Sequence, residues 1–252
     1  IVNIIQVETG ERVQAMLHFR EKGDEKLYLT MVTRNGTVKR LPVETLKNLR
    51  SNGIRALSLD EGDELVAVRE TDGSQRILIA THDGMACVFD ETDVRAMGRT
   101  AVGVRGIRLR EGDYVVGTAR AQAGKQVLSI TENGFGKKTP VEEYRITNRG
   151  GKGVKTINVT EKTGKLISIQ AVTDDNDLMI INRSGLTIRT AVSQIRLAGR
   201  ATQGVRIINL RDGDAIASVM AVPAAGDEEE VQSAEATGAG DATPDAGQPA
   251  EE

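Results

Sequence analysis

Tryptophan is absent from this chain, histidine occurs twice and cysteine once, and phenylalanine and tyrosine are each present three times in 252 residues. Each scarcity excludes something. One cysteine, Cys87, forms no internal disulfide, and in the apolar stretch with Val88 and Phe89 it reads as a small core residue in a reducing cytoplasm. His18 and His82 with that cysteine lack the number and spacing of a metal site. No apolar run approaches a membrane span and no signal-peptide pattern is present, so no membrane partner is expected. No Gly-x-Ser-x-Gly elbow and no separated carboxylate pair occurs, and no catalytic residue is assigned. The run Gly151-Lys152-Gly153-Val154-Lys155-Thr156 lacks the uninterrupted Gly-Lys-Ser/Thr and the following helix that a phosphate loop requires.

What the chain has instead is a period. A glycine, a β-branched residue and a cation recur as Gly53-Ile54-Arg55, Gly103-Val104-Arg105, Gly153-Val154-Lys155 and Gly204-Val205-Arg206, at intervals of 50, 50 and 51 residues. A repeat of that length marks a propeller, solenoid or stacked array. Upstream of each triplet stands a turn dipeptide, Asn35-Gly36, Asp83-Gly84, Asn133-Gly134 or Ser184-Gly185, between apolar alternating runs. These dipeptides accept positive φ at both central residues, which predicts a hairpin opening each unit. Downstream come Gly62-Asp63, Gly112-Asp113, Gly164-Lys165 and Gly213-Asp214, again between strand-like stretches. One unit therefore reads as four strands, the content of a propeller blade.

The expected organisation is an all-β, propeller-like domain over 1–223, with a partial blade at 1–25 and blades at 26–75, 76–125, 126–177 and 178–223. With an opening inside a strand and no starting methionine, the N-terminus is expected to be a cut. Residues 224–252 carry nine acids and no lysine or arginine, a composition that predicts a disordered tail. With 33 cations and 36 acids in the whole chain, setting those nine aside leaves 27 acids and a body of about +6. A basic body suits a polyanion, and the acidic tail is expected to compete for the same surface.

The basic loops supply the candidate site. Arg50, Arg99, Arg149 and Arg200 precede the anchor glycines, and Arg55, Arg105, Lys155 and Arg206 follow them. After the hairpin turns stand Lys39 and Arg40, Lys137 and Lys138, and Arg189. Around an axis these positions make a curved cationic track for phosphates; the competing reading pairs them with the periodic Asp63, Asp113 and Asp214. No aromatic recurs in phase, so duplex backbone binding with bending is favoured over single-strand stacking.

At Thr147-Asn148-Arg149-Gly150-Gly151-Lys152-Gly153 the chain resembles the box Gln-Arg-Arg-Gly-Gly-Lys-Gly of the DNA gyrase A C-terminal domain, matching its last five positions. The text from Val94 to Arg99 and from Gly103 to Arg108 resembles the same domain, and the similarity spans about 1–223. The resemblance implies a β-pinwheel that wraps duplex DNA with little regard to sequence, as part of a bacterial, nucleoid-associated type IIA topoisomerase. It also implies an A2B2 assembly with the remainder of the gyrase A protein and with the gyrase B protein, ATP and Mg used elsewhere, and the catalytic tyrosine in another domain. Arg149, Gly150, Gly151, Lys152 and Gly153 take the box positions. Two other readings compete, the equivalent domain of topoisomerase IV and a propeller serving as a protein-interaction scaffold.

Overall fold

The computed structural model describes residues 13, 15–17, 26–46 and 53–224. Arg50, nearly all of the partial blade expected at 1–25, and the tail after Ala224 lie outside the described residues. Among the described residues the elements are β-strands and short 3-10 turns, and no helix is long and apolar enough to cross a membrane.

Each unit opens with the predicted hairpin: β1 (Tyr28–Thr33) with β2 (Thr37–Pro42), β4 (Arg76–Thr81) with β5 (Met85–Asp90), β8 (Gln126–Thr131) with β9 (Phe135–Pro140), and β12 (Asn176–Asn182) with β13 (Thr187–Ala191). The turn type differs from expectation. Only the glycine takes positive φ, 82° at Gly36 and 77° at Gly84, and its N–H donates to Thr33 O or Thr81 O at 3.1 and 2.9 Å. That is a type I turn followed by a left-handed glycine, so the asparagine or aspartate before it needs no positive φ.

A third strand from the same unit pairs with the first strand of each hairpin: β3 (Leu65–Thr71), β7 (Val115–Arg120), β11 (Leu166–Val172) and β15 (Ile216–Pro223). The fourth strand corrects the reading of a self-contained unit. The glycine triplets form two-residue strands β6 (Val104–Arg105), β10 (Val154–Lys155) and β14 (Val205–Arg206), and each joins the sheet of the preceding unit. The sheet orders are β3-β1-β2-β6, β10-β5-β4-β7 and β11-β8-β9-β14, while β13-β12-β15 is three-stranded. Period alone locates a strand within its repeat and is silent on which hairpin it pairs with.

The insertion explains the glycine. A Cβ at Gly153 would stand 2.5 Å from Ala86 O, and one at Gly204 would stand 2.5 Å from Gly136 O, both backbone atoms of the receiving strand.

The hydrophobic cores lie between blades. One joins Val32 and Val38 to Ile77, Ile79, Phe89 and Ile107; the next joins Leu78, Ala86 and Val88 to Val127, Tyr144 and Ile157; the third joins Leu128 and Ile130 to Leu178, Ile180 and Ile208. Hairpin strands sandwiched this way are buried on both faces, as in β8 and β9. Each unit is thus stabilised chiefly by its neighbours, the energetic pattern of a repeat protein.

Candidate nucleic-acid interface

The inner strands β3, β7, β11 and β15 line one central cavity, so the borrowed strands occupy the opposite, outer edge of their sheets. On each of them the β-branched residue is half-buried against the blade and the cation is exposed: Val104 and Arg105, Val154 and Lys155, Val205 and Arg206. Period-two alternation on an edge strand does this. The result is one exposed cation per sheet at matching register, opposite Thr37, Met85 and Phe135 respectively. Arg55 is exposed as well, and so are Arg99 and Lys152.

The loops that carry these cations are stitched from blade to blade. Arg149 donates from Nε to Asp93 O at 2.9 Å and from a terminal nitrogen to Arg105 O at 3.2 Å. One unit on, Arg200 donates to Lys155 O at 2.6 Å, and its backbone N–H donates to a Glu143 carboxylate oxygen at 2.8 Å. Each of these arginines therefore holds the carbonyl of the preceding unit's rim cation, and both are half-buried. In the box loop, Gly150 N–H donates to Gly106 O at 2.6 Å, while Gly151 O accepts from Arg108 N–H at 2.8 Å. Gly150 and Gly153 have φ of 78° and 73°.

The cations after the hairpin turns are a correction. Lys39 is fully buried, and its ammonium donates to Ala56 O, Arg99 O and Ala101 O at 2.7–2.8 Å. Lys137 is fully buried and donates to Gly199 O and Arg200 O at 2.5 and 2.6 Å. Lys138 is buried with Asp174 at 2.5 Å, and Arg40 is buried beside Glu91 with its guanidinium 4.5 Å from the Tyr28 ring centroid. These four cannot reach a phosphate at the rim. Arg189 is exposed but donates to Asp177 at 2.7 Å and to Pro223 O at 3.0 Å. A cation on a strand packed on both faces points between blades, where only backbone carbonyls and neighbouring acids can receive it.

Burial lowers the Lys39 pKa. It lowers that of Lys137 further, to about 8, with Glu143 opposing and Arg200 assisting the shift. Both lysines hold carbonyls of the loop that leads into the next triplet. In the second unit the equivalent slot is Cys87, whose Sγ lies 3.5 Å from Gly106 O and whose pKa burial raises to about 12. There the incoming loop is held by Thr147 N–H on Val88 O at 2.8 Å and by the Arg149 contacts.

The periodic aspartates do not pair with the rim cations. Asp63, Asp113 and Asp214 accept instead from the hairpin-turn N–H groups of Asn35, Asp83 and Ser184 at 2.9, 2.9 and 3.3 Å. In the third unit Glu132 accepts from Lys165 N–H at 3.0 Å, and Lys165 reaches Asp83 at 2.5 Å.

Two sets of cations escaped the sequence reading. Arg95, Arg145 and Arg196 recur at the same period, are all exposed, and precede residues that bridge in parallel to the preceding unit's hairpin at Arg40, Val88 and Lys138. Their period was the available signal. Arg108 and Arg110 stand with Lys152 around a small cavity of about 150 Å³; Arg108 has Ser58, Asn158 and Asn209 at its equivalent positions and so carries no periodic mark, whereas Arg110 recurs as Lys162 and Arg211 two residues before the turn glycine.

A family model described as "DNA gyrase C-terminal domain, beta-propeller" matches residues 27–72, 75–122, 125–173 and 176–223. The DNA gyrase A protein of Halalkalibacterium halodurans is 53% identical over 228 residues, which is 90% of this chain and 27% of that protein. The chain thus spans about a quarter of the length of the curated relatives it matches. A solved C-terminal domain of DNA topoisomerase IV superposes with a TM-score of 0.84 at 26% identity, covering 93% of this chain and 73% of that one. A solved DNA gyrase A C-terminal domain gives 0.72 at 23% identity, covering 80% and 68%.

Proposed function

This chain belongs to the DNA gyrase C-terminal domain family, the non-catalytic propeller of type IIA DNA topoisomerases, and from that membership we propose that it bends and wraps duplex DNA around its outer edge. The observation that carries this reading is the register of the borrowed strands, which present Arg105, Lys155 and Arg206 one per sheet on the outer side. Arg55, Arg99, Lys152, Arg95, Arg145 and Arg196 extend the same charged surface.

Cations on a curved edge favour a bent duplex, because successive phosphates meet successive blades only if the DNA follows the curve. Smooth bending of stiff duplex costs about 1–6 kcal/mol for a site of a few turns, so many modest contacts are needed to offset it. Contacts to phosphate carry no base information, and binding is expected to be insensitive to sequence.

The finer reading is that the domain serves gyrase, where wrapping would present a following segment for ATP-driven negative supercoiling by the remainder of the gyrase A protein with the gyrase B protein. Its support is the 53% identity to a gyrase A protein over 90% of the chain. A role in topoisomerase IV has its own support in the TM-score of 0.84 over 93% of the chain. The sign and amount of writhe trapped in relaxed plasmid by this chain separates the two, with strong handed wrapping expected for gyrase.

The basic test is ionic. Each phosphate contact contributes about 0.9 to the slope of log affinity against log salt on duplex DNA. Replacing Arg105, Lys155 and Arg206 together by alanine should therefore flatten the slope by about 3. An unchanged slope, or a salt-insensitive wild type, would remove DNA from this edge.

A further inference from the structure

The central cavity, about 550 Å³, lies among the inner strands of all four units. Its lining includes Arg69, Arg120 and Lys125 and no aspartate or glutamate. Arg69 donates from Nε to Thr118 Oγ1 at 3.1 Å and from a terminal nitrogen to Thr118 O at 2.6 Å; Arg120 donates to Glu70 O at 2.9 Å. Among the described residues neither guanidinium has an ion-pair partner. Burial, and then the nearby charge of Arg120, pushes the Arg69 pKa down. Two cations held close together, fixed by neutral oxygens and lacking a counter-charge, form an anion site in search of its anion.

The position of the chain's acidic segment indicates which anion. Each inner strand runs antiparallel to the first strand of its hairpin, and register places Thr71 opposite Tyr28, Arg120 opposite Ile77 and Val222 opposite Asp177. Arg69 and Arg120 therefore lie near the C-terminal ends of their inner strands, at the mouth where β15 ends with Pro223. The acids begin four residues past the end of that strand, with Asp227, Glu228, Glu229 and Glu230, and no lysine or arginine follows. Extended chain covers about 3.3 Å per residue, which lets these four carboxylates span the mouth within roughly 25 Å of Pro223.

We propose that the central channel is a carboxylate-binding site and that its occupant is this chain's own acidic segment, led by Asp227–Glu230. The segment so held is kept away from the outer edge, which inverts the expectation that it competes there with a polyanion. The proposal needs no DNA and stands apart from the wrapping reading.

Arginine footprinting with phenylglyoxal on the full chain tests it, read residue by residue by mass spectrometry. The comparison is with a full chain in which all nine acids after Pro223 become Asn or Gln, positions beyond the last strand. A short tether gives an effective concentration of about millimolar, so even a weak contact should protect Arg69 and Arg120 about threefold or more relative to the neutralised chain. Arg105 and Arg206 should react alike in both. Equal reactivity of Arg69 and Arg120 in the two chains would overturn the proposal, and so would protection confined to Arg105 and Arg206.

Discussion

Four copies of one triplet sit in two different situations. Gly103, Gly153 and Gly204 open strands that lie against the hairpin of the preceding unit, while Gly53, with φ of 75° close to the 73° of Gly153, belongs to no strand among the described residues. A Cβ at Gly103 would stand 2.7 Å from Val38 O, yet one at Gly53 would meet nothing described within 4 Å. The same residue thus answers two demands. Positive φ is local and common to all four copies; among the described residues, clearance for a neighbouring backbone is needed where the strand is lent to another blade.

The largest expected effects come from breaking that clearance. Gly153→Ala and Gly204→Ala combine a left-handed dihedral with a backbone clash and should each cost about 3 kcal/mol or more of unfolding free energy in urea. Against the described residues Gly53→Ala bears the dihedral alone and should cost about 1 kcal/mol. Equal losses at Gly53 and Gly153 would show that lending the strand is not what demands glycine.

A second comparison sits beneath the first, between units whose incoming loop is held by a buried lysine and the one that carries Cys87. Lys137→Met leaves the carbonyls of Gly199 and Arg200 without that donor and should cost about 1–3 kcal/mol at neutral pH. The pH dependence carries a definite sign. The folded pKa of Lys137 is about 8, below its ordinary 10.5, so between those values the unfolded chain binds more protons and stability rises with pH. Wild type measured against Lys137→Met should gain stability from pH 8 to 10.5, a difference in which the other titrating groups cancel. A flat difference would mean that the ammonium costs nothing in its buried site.

Smaller effects should separate exposed from buried cations in DNA titrations. Arg105→Ala should reduce the salt slope by about 1, whereas Lys39→Met should leave it unchanged despite destabilising the fold. Should Lys39→Met flatten the slope as Arg105→Ala does, the division between edge and interior would fail. The smallest expected change is in the box loop: Arg149→Ala with Lys152→Ala should weaken duplex affinity several-fold on any sequence, about 1 kcal/mol. Sequence-dependent losses there would point to base reading instead.

Much of the fold was legible because it is written locally and four times over. The turn glycines, the alternating runs and the interval from 53 to 103, 153 and 204 locate strands without reference to any distant residue. The hairpins at Gly36, Gly84, Gly134 and Gly185 form where expected, though with positive φ at the glycine alone. The site was legible in part. Lys39 and Arg105 are both cations beside β-branched residues, and composition treats them alike; one is sealed between blades and the other faces outward. Arg149 and Arg200 read as surface charges, and their hydrogen bonds to Arg105 O and Lys155 O could not be foreseen from spacing.

By itself, then, the sequence determined the repeat, the hairpin of each unit and the separation of a basic body from an acidic segment. All of these follow from backbone dihedrals, side-chain alternation and composition, which act over a few residues. Tertiary structure alone decided that each triplet belongs to the preceding sheet, that Lys39 and Lys137 hold loops from inside, and that Arg69 and Arg120 share a channel without acids. Those outcomes depend on which blade lies beside which, and a period is the same whichever neighbour a strand joins.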